Sequence, residues 1–200
     1  MIPKITIIVL NWNNSKDTIS CLKSLDNIKD ENFEILLVDN NSKIDHVDNI
    51  LLKFPHINLL KLDENHGYSG GNNRGFEHIS NDTKFVCFLN NDVIVDINFL
   101  SNFRDSIQQF GENNIFGPKI YFEYPSKKIW YGGGVANLPT GKIFHKFIGK
   151  RDNKENSESC KTGYVTGCCL LISKNNFTNL NGFDESFNMY AEDVDFCLRA

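Results

Sequence analysis

A chain of 200 residues can form one domain with a substantial core, and 40% hydrophobic with 23% charged residues is a globular composition. A formal charge of −4 gives no electrostatic case for nucleic-acid binding. The apolar run in "MIPKITIIVLNW" spans about six residues, below the roughly 7–15 of a signal core and the roughly 20 of a membrane span, and no later stretch is longer.

The first half alternates strands and helices. "ITIIVL" (5–10) reads as a strand buried on both faces, and "SKDTISCLKSL" (15–25) as a helix with Ile19, Leu22 and Leu25 at helical spacing behind an Asn14 or Ser15 cap. "FEILLVD" (33–39) is a second strand, and Val47, Ile50 and Leu51 mark a short helix. "INLLKL" (57–62) is a third strand and "GGNNRGFEHI" (70–79) a helix. "KFVCFLN" (84–90) is a fourth strand, with an amphipathic helix over 97–110. Continuous apolar strands between short helices predict an α/β fold, a mostly parallel sheet with helices on both faces.

Beyond about residue 112 the rhythm breaks. Short aromatic strands are expected in "IFGPKIYFEYPSKKIWYGGGV", a mobile polar surface loop over 149–163, and a strand over "YVTGCCLLIS" (164–173). A helical turn at "KNNFTNL" and a helix beginning near Glu192 complete the chain, which stops so soon after that last motif that the natural protein is expected to continue. Six cysteines without C-x-x-C spacing read as free thiols of a reducing cytosol rather than a zinc site. In that compartment the Asn-x-Ser/Thr sequences at Asn13, Asn40, Asn81 and Asn176 carry no glycosylation signal.

In open parallel sheets, ligands bind beyond the carboxyl ends of the strands. Four successive ends are polar here: Asn11-Trp12-Asn13, Asp39-Asn40-Asn41-Ser42, Asn65-His66-Gly67-Tyr68 and Asn90-Asn91-Asp92. "NWNNSKD" after the first strand lacks the glycines of a dinucleotide or Walker loop, which disfavours NAD and FAD binding and leaves no P-loop there. Asp39 suits the N3–H of uracil or thymine, although a turn or cap role accounts for "DNNS" as well. "NHGYSGGNNRG" (65–75) lets backbone approach a ligand, with Arg74 suited to a diphosphate. Asp92 suits a magnesium or manganese ion held largely by phosphate and water, while an Asx turn explains the same residues. With 27 asparagines in the chain, no single Asn is diagnostic. In "MYAEDVDFCLRA", Glu192, Asp193 and Asp195 cluster at a helix start, where the dipole favours acids. Their repulsion raises one pKa toward that of a general base, and Asp193 lies off the face shared by Glu192 and Asp195.

"VLNWNN", "VDNNS", "NHGYSGGNNRG", "LNND" and "GFDESFNMYAEDVDFCLRA", in this order from Ile5 to Ala200, resemble the inverting family 2 glycosyltransferases of the GT-A fold, rhamnosyltransferase-like branch. The resemblance implies one GT-A domain over 1–200, with a nucleotide-binding half (1–112) and an acceptor and catalytic half (113–200). It implies that Asn11 and Asn13 line the nucleoside pocket and that Asp39 holds the pyrimidine. Gly71, Asn73 and Arg74 would follow the diphosphate, and Asn90 and Asn91 would contact the donor. Asp92 would hold one Mg2+ or Mn2+, with Asn90 standing where the family has the first Asp of D-x-D. Asp193 would be the base, assisted by Glu192. Gly167, Cys168 and Trp130 would border the acceptor. The implied partners are a UDP- or dTDP-sugar and a glycan or lipid-linked acceptor, in the cytoplasm at the inner face of the membrane. A non-catalytic nucleotide-sugar binding module and a sugar-1-phosphate nucleotidyltransferase stand as alternatives.

Overall fold

The computed structural model describes residues 2–44, 47–123, 126–153, 158–187 and 190–200. The first half forms β1 (Ile5–Asn11), α1 (Ser15–Asp26), β2 (Phe33–Asp39), α2 (Asp48–Leu51), β3 (Asn58–Lys61), α3 (Gly67–Glu77), β4 (Phe85–Asn90) and α4 (Phe99–Phe110). The second half adds β5 (Ile120–Tyr121), β6 (Ile129–Tyr131), β7 (Gly134–Asn137), β8 (Lys142–His145), β9 (Cys169–Ser173), α5 (Lys174–Asn179) and α6 (Glu192–Arg199).

The central sheet has the order β3-β2-β1-β4-β9. Its first four strands are parallel, and β9 runs antiparallel to β4. From β1 the chain winds outward through β2 and β3, then returns to place β4 on the other side. The strand order therefore reverses between β1 and β4, and the crevice beyond their carboxyl ends is the expected ligand position. Because β9 is antiparallel, it starts at the rim where β4 ends, pairing Cys169 with Leu89.

Alternation along β1 sends side chains to opposite faces. Ile5, Ile7 and Val9 pack with Leu22 and Leu25 of α1, Ile50 of α2, and Leu100, Phe103 and Ile107 of α4. Ile8 joins Val38, Phe88 and the α3, α5 and α6 side. There Phe88, Phe177, Phe183 and Phe196 stack in sequence, with ring centroids 4.7, 5.3 and 4.8 Å apart. Each fully buried side chain of this size contributes roughly 1.5–3 kcal/mol.

Four expectations need correction. First, α3 starts three residues before the expected Gly70, because the Asn40 and Asn65 side chains accept from the His66 and Gly67 N–H groups and satisfy the helix start. Second, the strand expected over 164–173 is regular only from Cys169, since Tyr164 bridges to Gly134 and Gly167 turns toward α6. Third, the surface loop expected over 149–163 begins tied down, with Gly149 and Lys150 exchanging backbone hydrogen bonds with Ile129; residues 154–157 lie outside the described ones. Fourth, β8 had no counterpart in the sequence reading.

Candidate active site

The ends of β1, β2 and β4 are joined by one polar network. Asn11 Nδ2 donates to Asp39 Oδ1 at 3.1 Å and to Ser42 Oγ at 3.1 Å, and Ser42 Oγ donates to the same Asp39 oxygen. Asn11 Oδ1 accepts from Thr18 Oγ1 at 2.6 Å and from Asn91 Nδ2 at 3.3 Å. Asn13 adopts a left-handed φ of 55°, which asparagine tolerates. Its Oδ1 receives the Lys43 and Ile44 N–H groups, fixing the β2–α2 loop. Asp39, Ser42, Lys61 and Leu62 line a crevice over the ends of β2 and β3. Asp39 is buried, its Oδ1 already engaged, and opens onto that crevice.

The β4 end meets the start of β9 on the other side. Asn90 N donates to Cys168 O at 3.0 Å, and Asp92 stands exposed beyond it. Burial pushes the Cys168 thiol up to about 12, and the charges of Asp92 and then Asp193 push in the same direction. Residues 167–168 thus link the two ends: the Gly167 N–H binds Asp193 of α6, and the Cys168 carbonyl binds Asn90 of β4, two residues before Asp92.

The chain enters α6 through two left-handed residues, Tyr190 and Ala191, with φ of 69° and 71°. Non-glycine residues rarely hold this conformation in pairs, and here it aims the first turn of α6 at the rim. Gly167 N donates to Asp193 Oδ2 at 2.7 Å, and Val194 N donates to Asp193 Oδ1 at 2.8 Å. Each carboxylate oxygen keeps a lone pair for another donor. Tyr68 Oη donates to Gly167 O at 2.6 Å. A Cβ on Gly167 would lie 2.9 Å from the Tyr68 hydroxyl and 3.4 Å from Asp193 Cβ, so the close approach needs glycine.

Burial raises the Glu192 carboxyl, a backbone hydrogen bond at Glu192 opposes that rise, and the Asp193 charge adds a smaller upward push. The expected repulsion is thus the smaller contribution. Glu192 Oε2, Ser69 Oγ and Asn72 Oδ1 are buried without a hydrogen-bond partner among the described residues. Asp195 faces the other way and pairs with Arg199 at 2.8 Å.

Gly71, Asn73 and Arg74 are not gathered into this network. Gly71 is where α3 packs on the sheet, a Cβ there meeting Leu10 at 2.6 Å. Asn73 binds the Phe183 backbone through both its oxygen and its nitrogen. Arg74 pairs with Glu185 at 3.1 Å and donates to Gly70 O. Trp130 packs edge-on against His145, with centroids 4.6 Å apart. Sequence reasoning passed over Tyr68, Thr18 and Asn72 as site residues. Thr18 carries no signal in a helix, whereas Tyr68 lies inside the glycine-rich motif. Among the described residues no three His, Cys, Asp or Glu side chains gather as a metal cluster. One exposed carboxylate at Asp92 nevertheless fits a divalent ion whose other ligands are phosphate and water.

A family model described as "Glycosyl transferase family 2" matches residues 6–180. The chain belongs to glycosyl transferase family 2. This family 2 chain is 25% identical, over 100% of its own length, to the low-salt glycan biosynthesis hexosyltransferase Agl10 of Haloferax volcanii, of which it covers 62%. It is 29% identical to the O-antigen biosynthesis protein RfbC of Myxococcus xanthus, covering 98% of itself and 16% of that protein. Against rhamnosyltransferase WbbL of Escherichia coli K12 the identity is 26%, covering 96% of this chain and 75% of WbbL. The fold is the GT-A fold of S. aureus TarS, at TM-score 0.69 and 17% identity, over 98% of this chain and 54% of TarS. TarS in complex with UDP-GlcNAc superposes at TM-score 0.70 and 18% identity, over 98% of this chain and 53% of that one. The chain thus spans less than two thirds of Agl10, RfbC and TarS. The family match ends before α6, so Glu192 and Asp193 rest on their geometry.

Proposed function

We propose that this chain binds the donor and carries the catalytic base of an inverting glycosyltransferase. It would move a sugar from a UDP- or dTDP-linked donor to a glycan or lipid-linked acceptor, at the cytoplasmic side, in surface polysaccharide assembly. The observation that carries this reading is Asp193, held by Gly167 N at the sheet rim, where the next residue, Cys168, binds Asn90 at the β4 end. Similarity to polysaccharide glycosyltransferases and to a TarS structure holding UDP-GlcNAc supports it.

In this reading Asp39 receives the pyrimidine N3–H in the crevice over β2 and β3, with Asn11 and Ser42 holding its carboxylate in place. Residues 1–112 serve the nucleotide and 113–200 the acceptor. Asp193 takes the proton of the acceptor hydroxyl as that oxygen bonds to the anomeric carbon. Attack comes from the face opposite the nucleotide, so the centre inverts, and the electron pair of the broken carbon–oxygen bond leaves with the diphosphate. A magnesium or manganese ion at Asp92 would supply positive charge to that leaving group. Arg74 reaches a diphosphate only by releasing Glu185.

The test is turnover of a panel of UDP- and dTDP-sugars, with and without chelator. Asp193→Asn is expected to lower turnover by about 10²–10⁴-fold, the usual contribution of a general base. Turnover equal to that of the unsubstituted chain would overturn the assignment, and full turnover in EDTA would remove the metal from it. A chain that binds donor but turns over no member of the panel would be a nucleotide-sugar binding module.

A further inference from the structure

The stretch 126–151 holds six of the chain's 21 Lys and Arg residues and none of its 25 Asp and Glu residues. This basic stretch lies in a chain whose net charge is −4. It contains β7 and β8, which pair with each other as a separate two-stranded ribbon. Among the described residues, the ribbon is packed at its base: Tyr131, His145 and Tyr164 stack there, and Tyr131 and Tyr164 meet Val194 of α6. Farther out, Leu138, Ile143 and Phe144 are 69%, 50% and 54% exposed beside Lys142, and in the turn that follows β8, Ile148 is 53% exposed between Lys146 and Lys150. A two-stranded ribbon packed only at its base is marginal in water, and three large apolar side chains at its outer part raise that cost.

We propose that the β7–β8 ribbon docks this chain on the surface of an anionic lipid bilayer. The partner follows from charge complementarity combined with apolar exposure. Lysines with no acid among them meet a negatively charged headgroup layer, while Leu138, Ile143, Phe144 and Ile148 enter the boundary of the acyl chains. A soluble polyanion would use the lysines and leave the apolar residues in water. The base of the ribbon touches Val194, adjacent to Asp193, so docking turns the α6 side toward the membrane, where a lipid-linked acceptor lies. That last consequence rests on the proposed function; the docking itself does not.

Flotation with phosphatidylcholine vesicles, with and without phosphatidylglycerol and in the absence of donor and acceptor, tests it. The chain is expected to float with the phosphatidylglycerol vesicles and to be released by high salt. Replacing Lys142, Lys146 and Lys150 together by Gln should weaken binding on the order of 10²-fold, at about fivefold per lysine. Leu138→Ser with Phe144→Ser should also weaken it, with circular dichroism confirming that both variants are folded. Asp193→Asn should float like the unsubstituted chain, which separates this proposal from the catalytic one. No flotation, equal flotation on neutral vesicles, or folded variants that float unchanged would each overturn it. So would a concentration-dependent dimer that Phe144→Ser dissolves without any vesicle binding, since the ribbon would then face a second copy.

Discussion

Gly167 is held from two sides, by Tyr68 through its carbonyl and by Asp193 through its N–H. The first contact ties α3 to the segment before β9, and the second ties that segment to α6. Burial, with Asp193 and Glu192 adding, pushes the Tyr68 hydroxyl well above its ordinary value, so it stays a donor at all working pH values. Tyr68→Phe leaves the Gly167 carbonyl without that donor, and should cost about 1–2 kcal/mol. The cost would be read as a lower urea midpoint at unchanged slope, and an unchanged midpoint would contradict the role. At this scale the sequence was informative where residue chemistry is unusual for its place. Asp39 and Asn11, polar at the ends of apolar strands, were legible. The pairing of Arg74 with Glu185 was not legible, because the two lie 111 positions apart and no local pattern announces such a pair.

α6 brings two acids to the rim in different states. Asp193 is ligated by two backbone N–H groups, while Glu192 is buried with one oxygen unpaired. Burial raises the Glu192 pKa above its ordinary 4.5, so its ionisation is disfavoured in the folded state. The sign follows from linkage: stability from this group is fully present below 4.5 and is lost as pH rises through the raised folded value. Glu192→Gln, which cannot ionise, should therefore lessen the fall in unfolding free energy as pH rises above 4.5, as measured by urea denaturation at each pH. An unchanged pH dependence would mean that Glu192 does not ionise from a buried state. Elements were legible where burial on both faces forced continuous apolar runs, as in β1, β2 and β4. They were not legible in β8, where Lys142, Ile143 and Phe144 are exposed in a row and follow no alternation, because the ribbon has solvent on much of its surface.

In the whole molecule, the parallel strands and the antiparallel β9 bring three acids, from positions 39, 92 and 193, to one edge of the sheet. Asp39 reaches the β4 end through Asn11 and Asn91, and the segment 167–168 binds Asp193 on one side and Asn90 of the β4 end on the other. This arrangement was foreseeable from topology, since each acid follows a strand end or begins the last helix. Its hydrogen-bond wiring was not, because Thr18 and Ser42 are ordinary helix and turn residues in sequence. In the proposed function this edge divides the work: the β2 end would receive the base of the nucleotide, and the α6 end would act on the acceptor. Calorimetric titration of UDP and of dTDP into the Asp39→Asn and Asp193→Asn variants tests that division most directly. The expected result is a nucleotide affinity at least about tenfold weaker for Asp39→Asn, the loss of about 1.4 kcal/mol of hydrogen bonding to a charged acceptor, and nearly unchanged for Asp193→Asn. Full affinity in Asp39→Asn, or its loss in Asp193→Asn, would contradict the account.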